Sequence, residues 1–250
     1  MIREQNLQVT DAPNMAYDAV LTAGNFKPIL FSTPMVQAIL RGEKTQTRRI
    51  MQEQPPCQLL SCGTSGRYWA DNPEDLRAKY FRCKYEIGDI LWVRETWAKT
   101  GDNFHDDWER KSIYYFKADN PFNEKELHEN YPQMKGFPKW RPSIFMPKEA
   151  CRIFLKLKSI RVERLNDISE SDAIAEGVER WIEERMKSKP THYKVYYQNC
   201  KPEDLMSYTS CPIDSYETLW QKINGEKSWD ENPFVWVYEF ERTDASFACS

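Results

Sequence analysis

The order of the regular segments restricts this fold more than any single motif. Ile29, Leu30 and Phe31 read as a short strand. Ser32 or Thr33 can then cap a helix starting at Pro34, a first-turn position where a missing N–H costs nothing. Val36, Ile39 and Leu40 form its apolar face, and Gly42 suits the left-handed residue that ends it. Strand periodicity returns at "GDILWVRETW" (88–97), "SIYYFKAD" (112–119) and "CRIFLKLKSIRVERL" (151–165). A helix follows in "ISESDAIAEGV" (168–178), where Ser169 and Asp172 make a capping-box-like start. A second helix is expected from Asp214 or Ser215 to Gly225, and a last strand in "NPFVWVYEFER" (232–242). Strands dominate, and strand and helix do not alternate regularly. The reading is an α+β fold, a small mixed barrel with flanking helices, and not a doubly wound sheet.

The intervening stretches are punctuation-rich. Residues 51–84 carry many turn formers and are expected to be a long irregular insertion. Further insertions are expected near 100–138 and 179–212, with an extension at 1–26, a domain at 27–242 and a tail at 243–250. Within the second insertion's exit, Pro138, Pro142 and Pro147 break any helix around "KWRPSIFMP".

Composition limits the chemistry. A net charge of -3 argues against a broad basic face gripping long duplexes, although a local basic cleft is compatible with it. Aromatic residues make up 14% of 250 residues, enough for some rings to line a site for a flat ligand. The 7 cysteines are scattered without a CxxC pair and only 3 histidines occur, so no metal site is expected. Free thiols suit a reducing cytoplasm. No apolar run approaches the ~20 residues of a membrane helix, and the first residues lack a secretory pattern, so no membrane partner is expected.

Three segments together carry a resemblance: "GEKTQTRR" (42–49) after a short helix, "GDILWVRETWA" (88–98) and "LNDISESDAIAEGV" (165–178), closed by "FVWVYEFE" (234–241). In this order they resemble the ASCH domain superfamily, whose fold is related to the PUA RNA-binding barrel. The longer form with "WRPSIFMPKEACRIFLKL" (140–157) is similar to ASCH proteins carried by bacteriophages and prophages. The superfamily includes a small bacterial enzyme that deacetylates N4-acetylcytidine using a lysine, a threonine and a glutamate. Its GxKTxTxR segment matches "GEKTQTRR", which implies Lys44 and Thr47 as catalytic residues, and its glutamate falls on Glu176. The resemblance implies an amidohydrolase without cofactor, acting on a modified nucleoside, in a host cytoplasm. Other members bind RNA or are described as ribonucleases, so a binding module and a nuclease are the alternatives it implies.

Physical chemistry leaves two readings of each candidate. A threonine hydroxyl becomes a nucleophile beside a base, and a lysine serves as that base when desolvation lowers its pKa from about 10.4. On a regular strand Lys44 and Thr47 face opposite ways, whereas Thr45 and Thr47 align, so the pairing requires the Gly42 turn to swing Lys44 round. Backbone N–H groups of that turn are the candidate oxyanion donors. Lys44, Arg48 and Arg49 read equally as a solvated strand edge. Glu176 lies at the expected helix C-terminus, where a carboxylate meets the negative end of the dipole. Trp92, Arg94, Glu95 and Trp97 can stack a base and hold phosphate, or fill a core beside a paired arginine. Trp140 and Arg141 belong either to a loop over the cleft or to a structural loop. Arg152, Lys156 and Lys158 read as a wet sheet face. The expected cleft contains Lys44, Thr47, Arg94 and Glu176, with Thr45, Arg48, Trp92, Glu95, Trp97, Trp140 and Arg141 in substrate or nucleic-acid contact.

Overall fold

The alternation of large rings and valines in Phe234–Thr243 demands cover on both faces of one strand, and the architecture supplies it. The computed structural model describes residues 25–56, 59–61, 67–70, 79–99, 114–119, 139–181, 192–196 and 207–243. Its main sheet contains β1 (Phe26–Leu30), β2 (Gln46–Ile50), β6 (Ile90–Arg94), β9 (Phe154–Arg164) and β13 (Phe234–Thr243), in the order β1-β6-β9-β13-β2. β1 runs parallel to β6, and the other neighbours are antiparallel. Phe234, Trp236, Tyr238 and Phe240 enter one apolar cluster with Leu91, Val93, Leu155 and Leu157. Val235 and Val237, on the other face, meet the helices. Each fully buried side chain of this size contributes about 1.5–3 kcal/mol of burial free energy.

Three helices matter here. α1 (Thr33–Leu40) follows the Ser32 cap, carries its proline in the first turn and is followed by Gly42 at φ 76°. α2 (Glu170–Ala175) opens on Ser169, whose hydroxyl accepts from the Asp172 N–H. α3 (Pro212–Asn224) starts earlier than the expected Asp214 or Ser215, since Pro212 occupies its first turn behind Cys211. Leu165, Ile168, Ala173, Tyr216, Trp220 and Trp229 join α2 and α3 to the valine face of β13.

The stretch 51–84 is not irregular throughout. β3 (Leu59–Ser61), β4 (Arg67–Ala70) and β5 (Lys79–Arg82) form an antiparallel sheet. Tyr68 stacks edge-on against Trp236 at 4.9 Å and donates to the Ile160 carbonyl at 2.9 Å, so this sheet covers the ring face of β13. Short strands bounded by turn formers leave too few alternations to show as a period. A short hairpin pairs β7 (Trp97–Lys99) with β8 (Tyr114–Phe116). A further small sheet of β10 (Arg180–Trp181), β11 (His192–Lys194) and β12 (Tyr208–Thr209) lies inside the expected third insertion. The extension at 1–24, most of the second insertion and the tail from 244 lie outside the described residues.

Among the described strands the main sheet remains open. Its end strands approach without a ladder, and the Arg49 guanidinium donates to the Leu30 carbonyl at 2.8 Å across the gap.

Candidate functional site

Lys44 reaches the site because regular strand geometry begins only at Gln46. The residues before it are held to three elements. The Glu43 and Lys44 N–H groups both donate to the Ala38 carbonyl of α1, at 2.9 and 3.2 Å. The Thr45 N–H donates to Ala175 of α2 at 2.9 Å, and the Thr45 carbonyl accepts from Phe240 of β13 at 2.9 Å. This path turns the Lys44 side chain under the end of α2. Its ammonium donates to the Glu176 carbonyl at 2.7 Å and to Glu176 Oε2 at 2.9 Å. The lysine side chain is 0% exposed and the glutamate 4%.

Glu176 is the C-cap of α2, and Gly177 follows at φ 83°. The carboxylate therefore does sit at the negative helix end. Two cations offset that placement, since Arg48 Nη1 donates to Glu176 Oε1 at 3.2 Å. Burial pushes the Lys44 pKa down, and the Glu176 carboxylate opposes part of that shift. Gly177 also explains the close approach: a Cβ there would lie 2.9 Å from Lys44 Cβ and 3.1 Å from Ala38 Cβ. Gly177→Ala combines a left-handed alanine with overpacking, and its expected cost is about 2–4 kcal/mol. Denaturant midpoints of variant and wild type measure it.

Thr47 is buried on β2 opposite Tyr238 and lines a hollow of about 110 Å³. Glu176, Arg49, Tyr216 and Trp220 line the same hollow, with Met35, Ile50 and Ile223 supplying apolar wall. Among the described residues no side-chain hydrogen bond engages the Thr47 hydroxyl. Burial and the neighbouring Glu176 carboxylate hold the Tyr216 phenol well above its ordinary pKa, so it stays protonated.

The expected roles separate on this geometry. Arg48 is not available to a ligand: Nε donates to Glu163 at 3.1 Å, Nη2 to Asp172 at 3.0 Å and Nη1 to Glu176. It is no solvated edge either, being buried. Thr45 is exposed and its side chain lies outside the hollow. The Gly42 turn offers no oxyanion donor, because the N–H groups of Gly42, Glu43, Lys44 and Thr45 all meet backbone carbonyls. Arg94 is absent from the hollow; β9 and β13 lie between its strand and β2. Its guanidinium donates to the Ile144 carbonyl and lies 5.3 Å from the Trp92 ring centroid.

Glu95, Trp97, Trp140 and Arg141 gather with that second region. Glu95 is 1% exposed and accepts from Arg152 at 2.9 and 3.1 Å, so Arg152 is an ion-pair partner and not part of a wet face. Burial pushes the Glu95 carboxyl up, and Arg152 opposes it. Trp97 is buried, with the Arg141 guanidinium 5.2 Å from its ring centroid and their backbones bridged. Trp140 is half-buried, and among the described residues its indole N–H has no partner.

Several site residues escaped the sequence reading. Arg49 was seen only as edge charge, although it borders the hollow. Tyr216 and Trp220, four apart on α3, share one helix face, and that spacing was the available signal. Asp172 was read as a capping residue, yet its carboxylate accepts from Arg48 and Arg161. Among the described residues no group of His, Cys, Asp and Glu could hold a metal ion, and no helix is long and apolar enough to cross a membrane. Comparison with protein-family models, curated proteins and solved structures finds no match for this chain.

Proposed function

We propose that the chain is an amidohydrolase of the ASCH type, on a PUA-like frame, which removes an acyl group from the exocyclic amine of a modified pyrimidine nucleoside. N4-acetylcytidine is its reference substrate. The observation that carries this reading is the shared hollow of Thr47 and Glu176, with Lys44, which does not itself line the hollow, bonded to that carboxylate. Cavities of about 150 Å³ take up a benzene ring, so a hollow of 110 Å³ suits one acylamide group or part of a small ring. It is too small for a whole nucleotide, and the sugar extends past the apolar rim.

In this reaction Thr47 Oγ1 attacks the amide carbonyl while its proton passes to the Glu176–Lys44 pair. The C–N bond then breaks, the pair returns that proton to the leaving amine, and an acyl-threonine remains. Water attacks this ester, releasing the carboxylic acid and restoring the hydroxyl. Arg49, whose guanidinium gives one N–H to Leu30, is the available donor for the oxyanion. The buried Cys83 thiol fits a reducing cytoplasm.

Incubation with N4-acetylcytidine should yield acetate and cytidine in equal amounts. Because burial lowers the Lys44 pKa, release should rise with pH as the ammonium loses its proton, at a midpoint below an ordinary lysine's. Lys44→Arg keeps the charge but never deprotonates near neutrality, and its rate should fall about a hundredfold or more. A wild type that binds the nucleoside and releases no acetate sinks the hydrolase. The reading left would be a non-catalytic reader of RNA or modified bases, with the half-buried Trp92 beside Arg94 as its candidate contact.

A further inference from the structure

Arg48 is the most completely engaged cation in the site, and its partners form a continuous series from surface to interior. Arg161, 33% exposed, donates to Glu163 Oε2 at 3.0 Å and to Asp172 Oδ2 at 2.7 Å. Arg48, 0% exposed, takes the other Glu163 oxygen and shares Asp172 Oδ2. Its remaining nitrogen holds Glu176 Oε1 at 3.2 Å, and Lys44 holds Glu176 Oε2. With its carboxamide turned over, the orientation that satisfies both of its ends, Gln46 closes the gap by placing its nitrogen 3.1 Å from Asp172 Oδ1 and its oxygen 2.8 Å from Arg48 Nη1.

We propose that Arg48 is a positioning residue: it fixes the plane of the Glu176 carboxylate toward Lys44 and couples that pair to Glu163 and Asp172. A carboxylate held by one cation can turn about its own bond, whereas cations on both oxygens fix its plane. The planar guanidinium fork spans three carboxylates at once, which a lysine ammonium cannot reproduce. The arrangement also ties the proton affinity of Lys44 to charges remote from it. Lys44 is faced by Glu176 at the end of α2, by Arg48 and Arg49 of β2 and by the Phe31 ring, while Tyr216 of α3 faces Glu176 and Arg48. Removing Arg48 deletes a nearby cation and leaves Glu176 to Lys44 alone. Removing the Glu163 charge deletes an anion and lets Arg48 turn fully onto Glu176. The two changes act on Lys44 with opposite sign.

The test is an NMR titration of ¹³C-lysine-labelled protein, with the Lys44 resonance assigned by its loss in Lys44→Met. Arg48→Met should move the Lys44 midpoint up by at least about one pH unit, Arg48→Lys by less, and Glu163→Gln should move it down. The effect on turnover rests on the hydrolase reading. There kcat of Arg48→Met should fall about ten- to a hundredfold at unchanged KM, with the pH profile displaced in the same direction as the titration. If Arg48→Met does not fold, Glu163→Gln at the outer end of the series carries the test alone. A Lys44 midpoint unmoved in the folded variants overturns the proposal. Failure of the wild type to release acetate overturns only the hydrolase, because the titration does not depend on turnover.

Discussion

Glu176→Ala should cost the fold about 3–5 kcal/mol, because it leaves the Lys44 ammonium buried without a counter-charge. Among the described residues, Lys44 would retain only the backbone carbonyl of residue 176 as a bonded partner. Arg48 suffers less, since Glu163 and Asp172 continue to hold it. The reverse change is therefore not equivalent. Lys44→Met removes the cation but leaves Glu176 paired to Arg48, and an unbranched thioether fills much of the same space. Its cost should be clearly smaller than that of Glu176→Ala. Combining Lys44→Met with Glu176→Ala removes both charges and should recover part of the loss. Denaturant titrations of the three variants and wild type form a double-mutant cycle, with an expected coupling of about 1–3 kcal/mol. Equal costs for the two single changes would mean that Arg48 does not share Glu176.

Thr47→Val should reduce acetate release by at least about a thousandfold while leaving stability within about 1 kcal/mol of wild type. Both halves follow from one observation: Thr47 lines the hollow, and among the described residues no side-chain hydrogen bond engages its hydroxyl. Threonine-to-valine swaps usually destabilise because a hydroxyl loses its partner. Here the isosteric methyl faces a space with no such partner to lose, and β-branching keeps the strand preference. Steady-state release and a thermal melt on the same preparation check the two halves together. A rate close to wild type would remove Thr47 as the nucleophile without touching the fold.

Long alternating or amphipathic runs made most of the main sheet and its helices readable. The α1 boundaries followed from Pro34 and Gly42, and β9 and β13 from extended period-two patterns. The α3 start slipped because Pro212 is an equally good first-turn residue and lies before the polar cap candidates. β3 to β5 were hidden because strands of three or four residues show too few alternations. The Lys44–Glu176 pair spans 132 residues, and nothing in either segment announces the other; the resemblance alone linked them. Arg94 was drawn into the same cleft because sequence cannot state that two strands stand between it and Thr47. Arg48 was misread for a related reason. Its carboxylate partners lie on β9 and α2, so its charge looks free until the sheet order is known.

The three residues before β2 are sewn by main-chain bonds to α1, α2 and β13. A conformational change at the charged end of the hollow would have to shift all three elements in concert. Under the proposed function, accommodation of guests of different bulk therefore falls to the apolar wall, where Ile50 and Ile223 are exposed on separate elements. On that reading the polar end of the hollow selects for chemistry and its apolar wall tolerates size.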